Sequence, residues 1–256
     1  MTYVSLDCGP VYVEPWRGGK PGAGRAFAAI LPHSDDFTIF CTGLIIKLLR
    51  EGYKGYFIRT TNDRCDSGDL SPGETVYRIE NEMKLLTEKL GVEKLYDLEY
   101  MNHYLDHGMV TEIRHRLMTL IRFLKIDTVI SFDPCGHYEE NPDHYITALA
   151  VEQACWMAGS RTDLAELEDM GIYPYSVSRK YYFARGPQLL NRVIDISGVI
   201  AEKTEALLCN RTPISKMAGT GDAAGMRKYV EEHFINRQKP FMGLTHYEAY
   251  HYIGGE

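Results

Sequence analysis

No uncharged apolar run approaches the roughly 18 residues that a membrane-spanning helix needs, so a helical span is excluded. A basic surplus is missing as well. Lys and Arg number 28 against 35 Asp and Glu, a net charge of −7, and broad nucleic-acid binding requires a cationic face that this balance does not supply. The N-terminus shows no basic segment followed by an apolar core, so no secretory signal is read, and a soluble cytoplasmic protein is expected. Cysteine is sparse. Cys8, Cys41, Cys65, Cys135, Cys155 and Cys209 are scattered and form no Cys-x-x-Cys pair, which points to free thiols rather than a disulfide framework. Cys135 is the one that falls in a loop with other metal-ligating side chains. The sequon-like Asn210-Arg211-Thr212 has no secretory context to give it meaning. Internal repeats, low-complexity tracts and linkers are absent. The 256 residues suit a single α/β domain, with a core over about 26–159 and a C-terminal extension over 160–256.

Two glycine-rich stretches, Gly18 to Gly24 and Gly219 to Gly225, lack the setting that a dinucleotide fingerprint demands, because neither follows a strand and opens a helix. Both read as flexible loops, which counts against a nucleotide-binding oxidoreductase.

What the chain does contain is an apolar run, Ala26 to Leu31, that stops at Pro32 and is followed at once by His33, Asp35 and Asp36. A short run of this kind reads as a strand buried on both faces, as in a parallel sheet. In open α/β sheets ligands sit outside the carboxyl ends of the strands, where these side chains would project. Imidazole and carboxylate are both good Zn²⁺ ligands. A second apolar run, Thr128 to Phe132, leads into Asp133-Pro134-Cys135-Gly136-His137-Tyr138-Glu139-Glu140-Asn141-Pro142-Asp143-His144. Asn141 followed by Pro142 is a helix start that places Asp143 and His144 in its first turn. Two strand ends could therefore converge on one ion.

The intervening pattern predicts helices over 40–50, 72–90, 110–125 and 144–159, and strands over 55–60 and 95–98. Beyond residue 160 it predicts strands over 180–184 and 192–196 and helices over 198–209 and 221–235. Residues 1–25 read as an irregular arm with an edge strand over 11–13. A polar loop from Thr61 through Pro72 carries Asp63, Arg64, Asp66 and Asp69. The alternation indicates an α/β fold, a Rossmann-like, doubly wound and mainly parallel sheet, with C-terminal additions forming edge strands and covering the site. His103, His107 and His115 are read as surface or capping residues rather than ligands.

His33-Ser34-Asp35-Asp36 and Asn141-Pro142-Asp143-His144 resemble the paired motifs His-Pro-Asp-Asp and His-Pro-Asp-His of the PIG-L/LmbE-like family of zinc-dependent N-acetylglucosaminyl deacetylases. The resemblance runs from about Ala26 to Gly159, with a weaker echo at Glu248-Ala249-Tyr250, where the family often has Glu-Ala-Phe. It implies that His33, Asp36 and His144 bind the metal, Zn²⁺ or another divalent transition metal, and that Asp35 is the general base. It implies a sugar conjugate as substrate, an N-acetylglucosamine unit or a related amide, and a homo-oligomer is compatible with it. Ser34 replaces a non-ligand proline. Asn141 replaces a histidine that the family uses near the developing oxyanion, so His137 or the Asn141 amide is expected to serve instead. Asp143 is expected to orient an imidazole. Arg78 lies one residue from the family's arginine and reads either as a substrate-contacting guanidinium or as an i, i+4 partner of Glu82.

A metal in that site would lower the pKa of water from ~15.7 toward ~7. Asp35 would take the water's proton as it attacks an amide carbonyl, and Asp35 or His137 would return it to the leaving amine. The alternative is a non-catalytic sugar- or nucleotide-binding protein of the same fold. Asn141 favours it, whereas the retained Asp35 and the three ligands favour an enzyme.

Overall fold

The apolar residues Ala26–Leu31 form strand β2 with every side chain buried, and they divide by parity between two cores as the two-residue period of a strand requires. Phe27, Ala29 and Leu31 pack on one face, under α2 (Thr42–Arg50) and α3 (Pro72–Leu90). Ala28 and Ile30 pack on the other, under α4 (Val110–Leu124) and α5 (Pro142–Met157). Burying each large side chain contributes about 1.5–3 kcal/mol. The structure is a computed structural model and describes residues 10–254.

β2 is paired in parallel with β3 (Lys54–Thr61) on one side and β5 (Ile126–Phe132) on the other. The remaining strands are β1 (Tyr12–Glu14), β4 (Lys94–Tyr100), β6 (Arg179–Phe183), β7 (Arg192–Asp195) and β8 (Tyr247–Gly254), and the sheet order is β1-β7-β8-β6-β5-β2-β3-β4. The mainly parallel α/β fold is thus as the sequence predicts, and helices cover both faces. Sharp terminators set the long elements. Ser71 and Glu74 form a capping box at the start of α3, and Gly91 closes it with a φ of 77°, a left-handed conformation that costs glycine little.

Three expectations are corrected. The helix predicted over 40–50 is present as α2, but a further helix, α1 (Ser34–Phe40), precedes it across a break at Cys41. The Thr42 hydroxyl turns back to the carbonyls of Phe37 and Thr38, and the first N–H groups of α2 go instead to the carboxylate of Glu248. The C-terminal strands do not all lie at the edge, since β8 inserts antiparallel between β6 and β7. The helix expected over 198–209 shortens to α6 (Ile200–Leu207), an unpredicted α7 (Arg211–Ala218) follows, and α8 (Ala223–Val230) runs on into a π turn over Glu231–Ile235.

Cys41, Cys65, Cys135, Cys155 and Cys209 are free thiols. Cys8 and the first nine residues of the expected arm lie outside the described residues. No described helix is long and apolar enough to cross a membrane.

Candidate metal centre

Because β2 and β5 are parallel neighbours, their carboxyl ends deliver His33 and the loop that follows Phe132 to the same edge of the sheet. α1 begins one residue after His33, and the Asp36 carboxylate accepts the His33 N–H at 3.1 Å. The loop after β5 closes at Asn141, whose side-chain oxygen accepts the Asp143 N–H at 3.0 Å and caps α5, so that His144 lies in its first turn.

Three buried groups meet there. His33 Nδ1 is 3.1 Å from His144 Nε2 and 3.2 Å from Asp36 Oδ2, and His144 Nε2 is 3.7 Å from Asp36 Oδ1. One ligand atom from each of the three residues lies within 4.8 Å of the others. A tetrahedral zinc site with bonds of about 2.0–2.1 Å would separate its ligand atoms by about 3.3 Å, so this donor set fits such an ion.

The residues around the trio hold its imidazoles in place. Asp143 Oδ2 faces His33 Nε2 at 3.1 Å and also accepts the Asn102 amide and the His103 backbone N–H. Burial favours its neutral form, but hydrogen bonds led by those from His33 and His103 hold the carboxyl below the usual range. Burial likewise disfavours a charged His33, yet Asp143 and Asp36 raise its pKa well above the ordinary value. Glu139 Oε2 stands 3.2 Å from His144 Nδ1, at ion-pair distance without hydrogen-bond alignment. Although partly buried, Glu139 is pulled down to about 2 by His144 and Arg185. Phe132 stacks on the His144 ring at 4.0 Å.

Asp35 sits beside the trio, where burial first, and then the charges of Asp36 and Asp66, push its carboxyl well above the usual range. Asp63, fully buried, accepts the Ser34 N–H at 2.9 Å and the Arg59 guanidinium at 2.8 Å. Arg59, also buried, reaches on to Asp97. Asp35, Asp36, Asp63 and Asp66 thus crowd together beside His33, a charge arrangement that favours a cation.

His137 and Arg78, by contrast, do not join the trio among the described residues. His137 is exposed, and its backbone N–H donates to Pro187 O; no hydrogen bond, ion pair or ring contact joins it to the trio among the described residues. Asn141 serves as a helix cap. Arg78 lines a cleft of about 170 Å³ with Arg211 between α3 and α7. Its i, i+4 ion pair with Glu82 does not form among the described residues, because Glu82 takes the N–H and hydroxyl of Thr212 instead. The histidine outside the trio that does approach it is His103, with ring centroids 6.5 Å from His33 and a backbone φ of 66°. Sequence reasoning also missed Arg59, Asp63 and Glu139. Arg59 carried a usable signal, a charge inside an otherwise apolar strand, which needs a buried partner.

Residues 28–155 match the family model described as PIG-L: GlcNAc-PI de-N-acetylase. A diacetylchitobiose deacetylase of Thermococcus kodakarensis is 30% identical over 185 residues, covering 70% of this chain and 66% of that protein. A probable N-acetyl-alpha-D-glucosaminyl L-malate deacetylase 2 of Bacillus anthracis is 27% identical over 135 residues, covering 51% and 59%. The matches therefore span about two thirds or less of those curated relatives. Among solved structures, the N,N′-diacetylchitobiose deacetylase from Pyrococcus horikoshii superposes with a TM-score of 0.75 at 23% identity, over 90% of this chain and 84% of that one. A 4-carboxy-2-hydroxymuconate hydratase from Pseudomonas putida superposes with a TM-score of 0.68 at 16% identity, over 91% and 97%.

Proposed function

This chain belongs to the PIG-L family of GlcNAc-PI de-N-acetylases, and from that membership we propose that it is a zinc-dependent hydrolase removing the acetyl group from an N-acetylglucosamine-type sugar conjugate. The convergence of His33, Asp36 and His144 from segments more than a hundred residues apart in sequence carries the reading. The fold alone would not, since a hydratase shares it.

His33, Asp36 and His144 hold the ion. When bound, it supplies Lewis acidity, polarising the amide carbonyl and lowering the pKa of water toward ~7. Asp35 takes the proton of the attacking water and carries it to the amine leaving group. Asp143 fixes the tautomer of His33 through Nε2, and Glu139 places a negative charge 3.2 Å from His144 Nδ1. His103, whose ring lies 6.5 Å from that of His33, joins His137 as a candidate imidazole for the developing oxyanion. Asn141 holds the helix mouth through its oxygen, committed to the Asp143 N–H, and it is the amide nitrogen that would donate to the oxyanion. The relatives' printed names direct the first substrate choice to N,N′-diacetylchitobiose.

Acetate release from N,N′-diacetylchitobiose tests the proposal. The chain purified without chelator should carry about one equivalent of zinc, lose turnover on dialysis against a chelator, and regain it with added zinc. A zinc-loaded protein that frees no acetate from any N-acetylated amino sugar would sink it. Asp143→Ala should weaken zinc binding by about 10–100-fold, the usual penalty for removing a carboxylate behind a ligating imidazole. Competition with a chromogenic chelator reads that loss directly, and unchanged affinity would remove Asp143 from the assignment.

A further inference from the structure

At the opposite edge of the sheet, around the amino ends of β2, β6 and β7, lies a cavity of about 360 Å³ into which Arg17, Arg25, Arg179 and Arg192 converge. β2 alone, at about 3.3 Å per residue, places it roughly 20 Å from the metal centre. The site rests on no part of the deacetylase reading.

The guanidiniums are unequally satisfied. Arg25 donates to Asp127 at 2.5 Å. Arg179 donates to the neutral Tyr53 hydroxyl at 2.6 Å. Arg192 lies over the Tyr252 ring, 4.2 Å from its centroid, and its buried Nε has no hydrogen-bond partner, with Glu14 at 4.0 Å. Among the described residues no carboxylate pairs with Arg17 or Arg179. The two glutamates in the lining are already engaged. Glu14 takes Lys47 and the Tyr181 hydroxyl, and Glu51 takes Lys47 and the Arg17 backbone N–H. Counting Lys47 and Asp127, five cations meet three carboxylates, a local positive excess in a chain whose net charge is −7.

Guanidinium forks lining one space, two of them laid over tyrosine rings, are the donor geometry that recognises a phosphoryl group, whose oxygens accept from several directions at once. A charge near −2 matches the local excess. The lining is polar, and the Tyr53 and Tyr252 rings carry the Arg25 and Arg192 guanidiniums. We propose that this cavity binds a phosphoryl group, free or on a small sugar.

Isothermal titration calorimetry on the zinc-loaded full chain tests this with inorganic phosphate, glucose 6-phosphate and glucose. One equivalent of glucose 6-phosphate should bind saturably and glucose should not; tighter binding of inorganic phosphate would assign the free ion instead. Arg179→Gln and Arg192→Gln should each weaken binding at least about tenfold, the usual loss for a charge-assisted hydrogen bond. His144→Ala should leave it unchanged, which separates this cavity from phosphate binding to the catalytic metal. Arg17 is exposed, so Arg17→Ala tests the site without threatening the fold and should weaken binding about threefold or more. Absence of saturable binding by both phosphates, binding that survives the arginine substitutions, or binding lost with His144→Ala would each overturn the proposal.

Discussion

Asp35→Asn is expected to lower deacetylation turnover by about 10²–10⁴-fold while the protein still holds its zinc. The two side chains have nearly the same shape, but the amide cannot accept the proton that the attacking water must lose. The metal is retained because Asp35 is not one of the three converging groups. A second readout separates lost chemistry from lost structure. Asp35 stands among Asp36, Asp63 and Asp66, and burial and their charges already penalise its ionised form. Removing one of these charges relieves repulsion, so the metal-free variant should melt no lower than the metal-free parent. Zinc per chain, acetate release and thermal midpoint together distinguish a missing base from a missing ligand or a damaged fold. Turnover within a fewfold of the parent would transfer the base to another group, and loss of zinc would make Asp35 a ligand.

The trio was legible because its constraint is local in sequence and general in topology. A buried strand that ends in His33 and another that leads to His144 must deliver those side chains to the same sheet edge if the strands are neighbours, and the α/β alternation made that adjacency an expectation. β2, α3 and α5 were legible for a similar reason, since Pro32 and Gly91 stop the first two and Pro142 opens the third. Residues whose roles depend on which loops meet were not readable. Asp63 follows β3 with an unusual φ of 53°, and its task of fixing Ser34 depends on the β2–β3 pairing. His103 and His137 look alike in sequence, and only the fold of the segment after β4 brings the first, and not the second, to His33. The break at Cys41 was hidden because its cause lies some two hundred residues away, in Glu248.

Glu248→Ala is accordingly expected to cost about 3–5 kcal/mol, the penalty for breaking a buried ion pair from one side. Its carboxylate accepts from the Gly43 and Leu44 N–H groups at 2.8 Å each, from Lys203 Nζ at 2.7 Å and from the Tyr250 hydroxyl at 2.7 Å. Alanine would strand the first donors of α2 and leave a buried ammonium with the Ile39 carbonyl and a phenol with the Phe40 carbonyl as their remaining acceptors. With roughly 2–4 °C of midpoint lost per kcal/mol in chains of this size, the fall should be about 6–20 °C in a calorimetric scan. Two further variants locate the cause. Glu248→Gln keeps one acceptor for the helix N–H groups but abandons Lys203, so it should recover only part of the loss. Lys203→Met combined with Glu248→Ala removes the stranded ammonium and should recover more, because replacing both members of a buried pair is far less costly than removing one. Lys203 and Glu248 also border a cavity of about 350 Å³ beneath Phe40 and Phe183. Water entering there would solvate the unpaired ammonium, so a midpoint drop below about 2 °C would show that water and the Ile39 carbonyl, rather than the carboxylate, satisfy Lys203. A drop in the expected range would establish that the β8 carboxylate organises the start of α2, and with it the bend between α2 and the helix that carries Asp35 and Asp36.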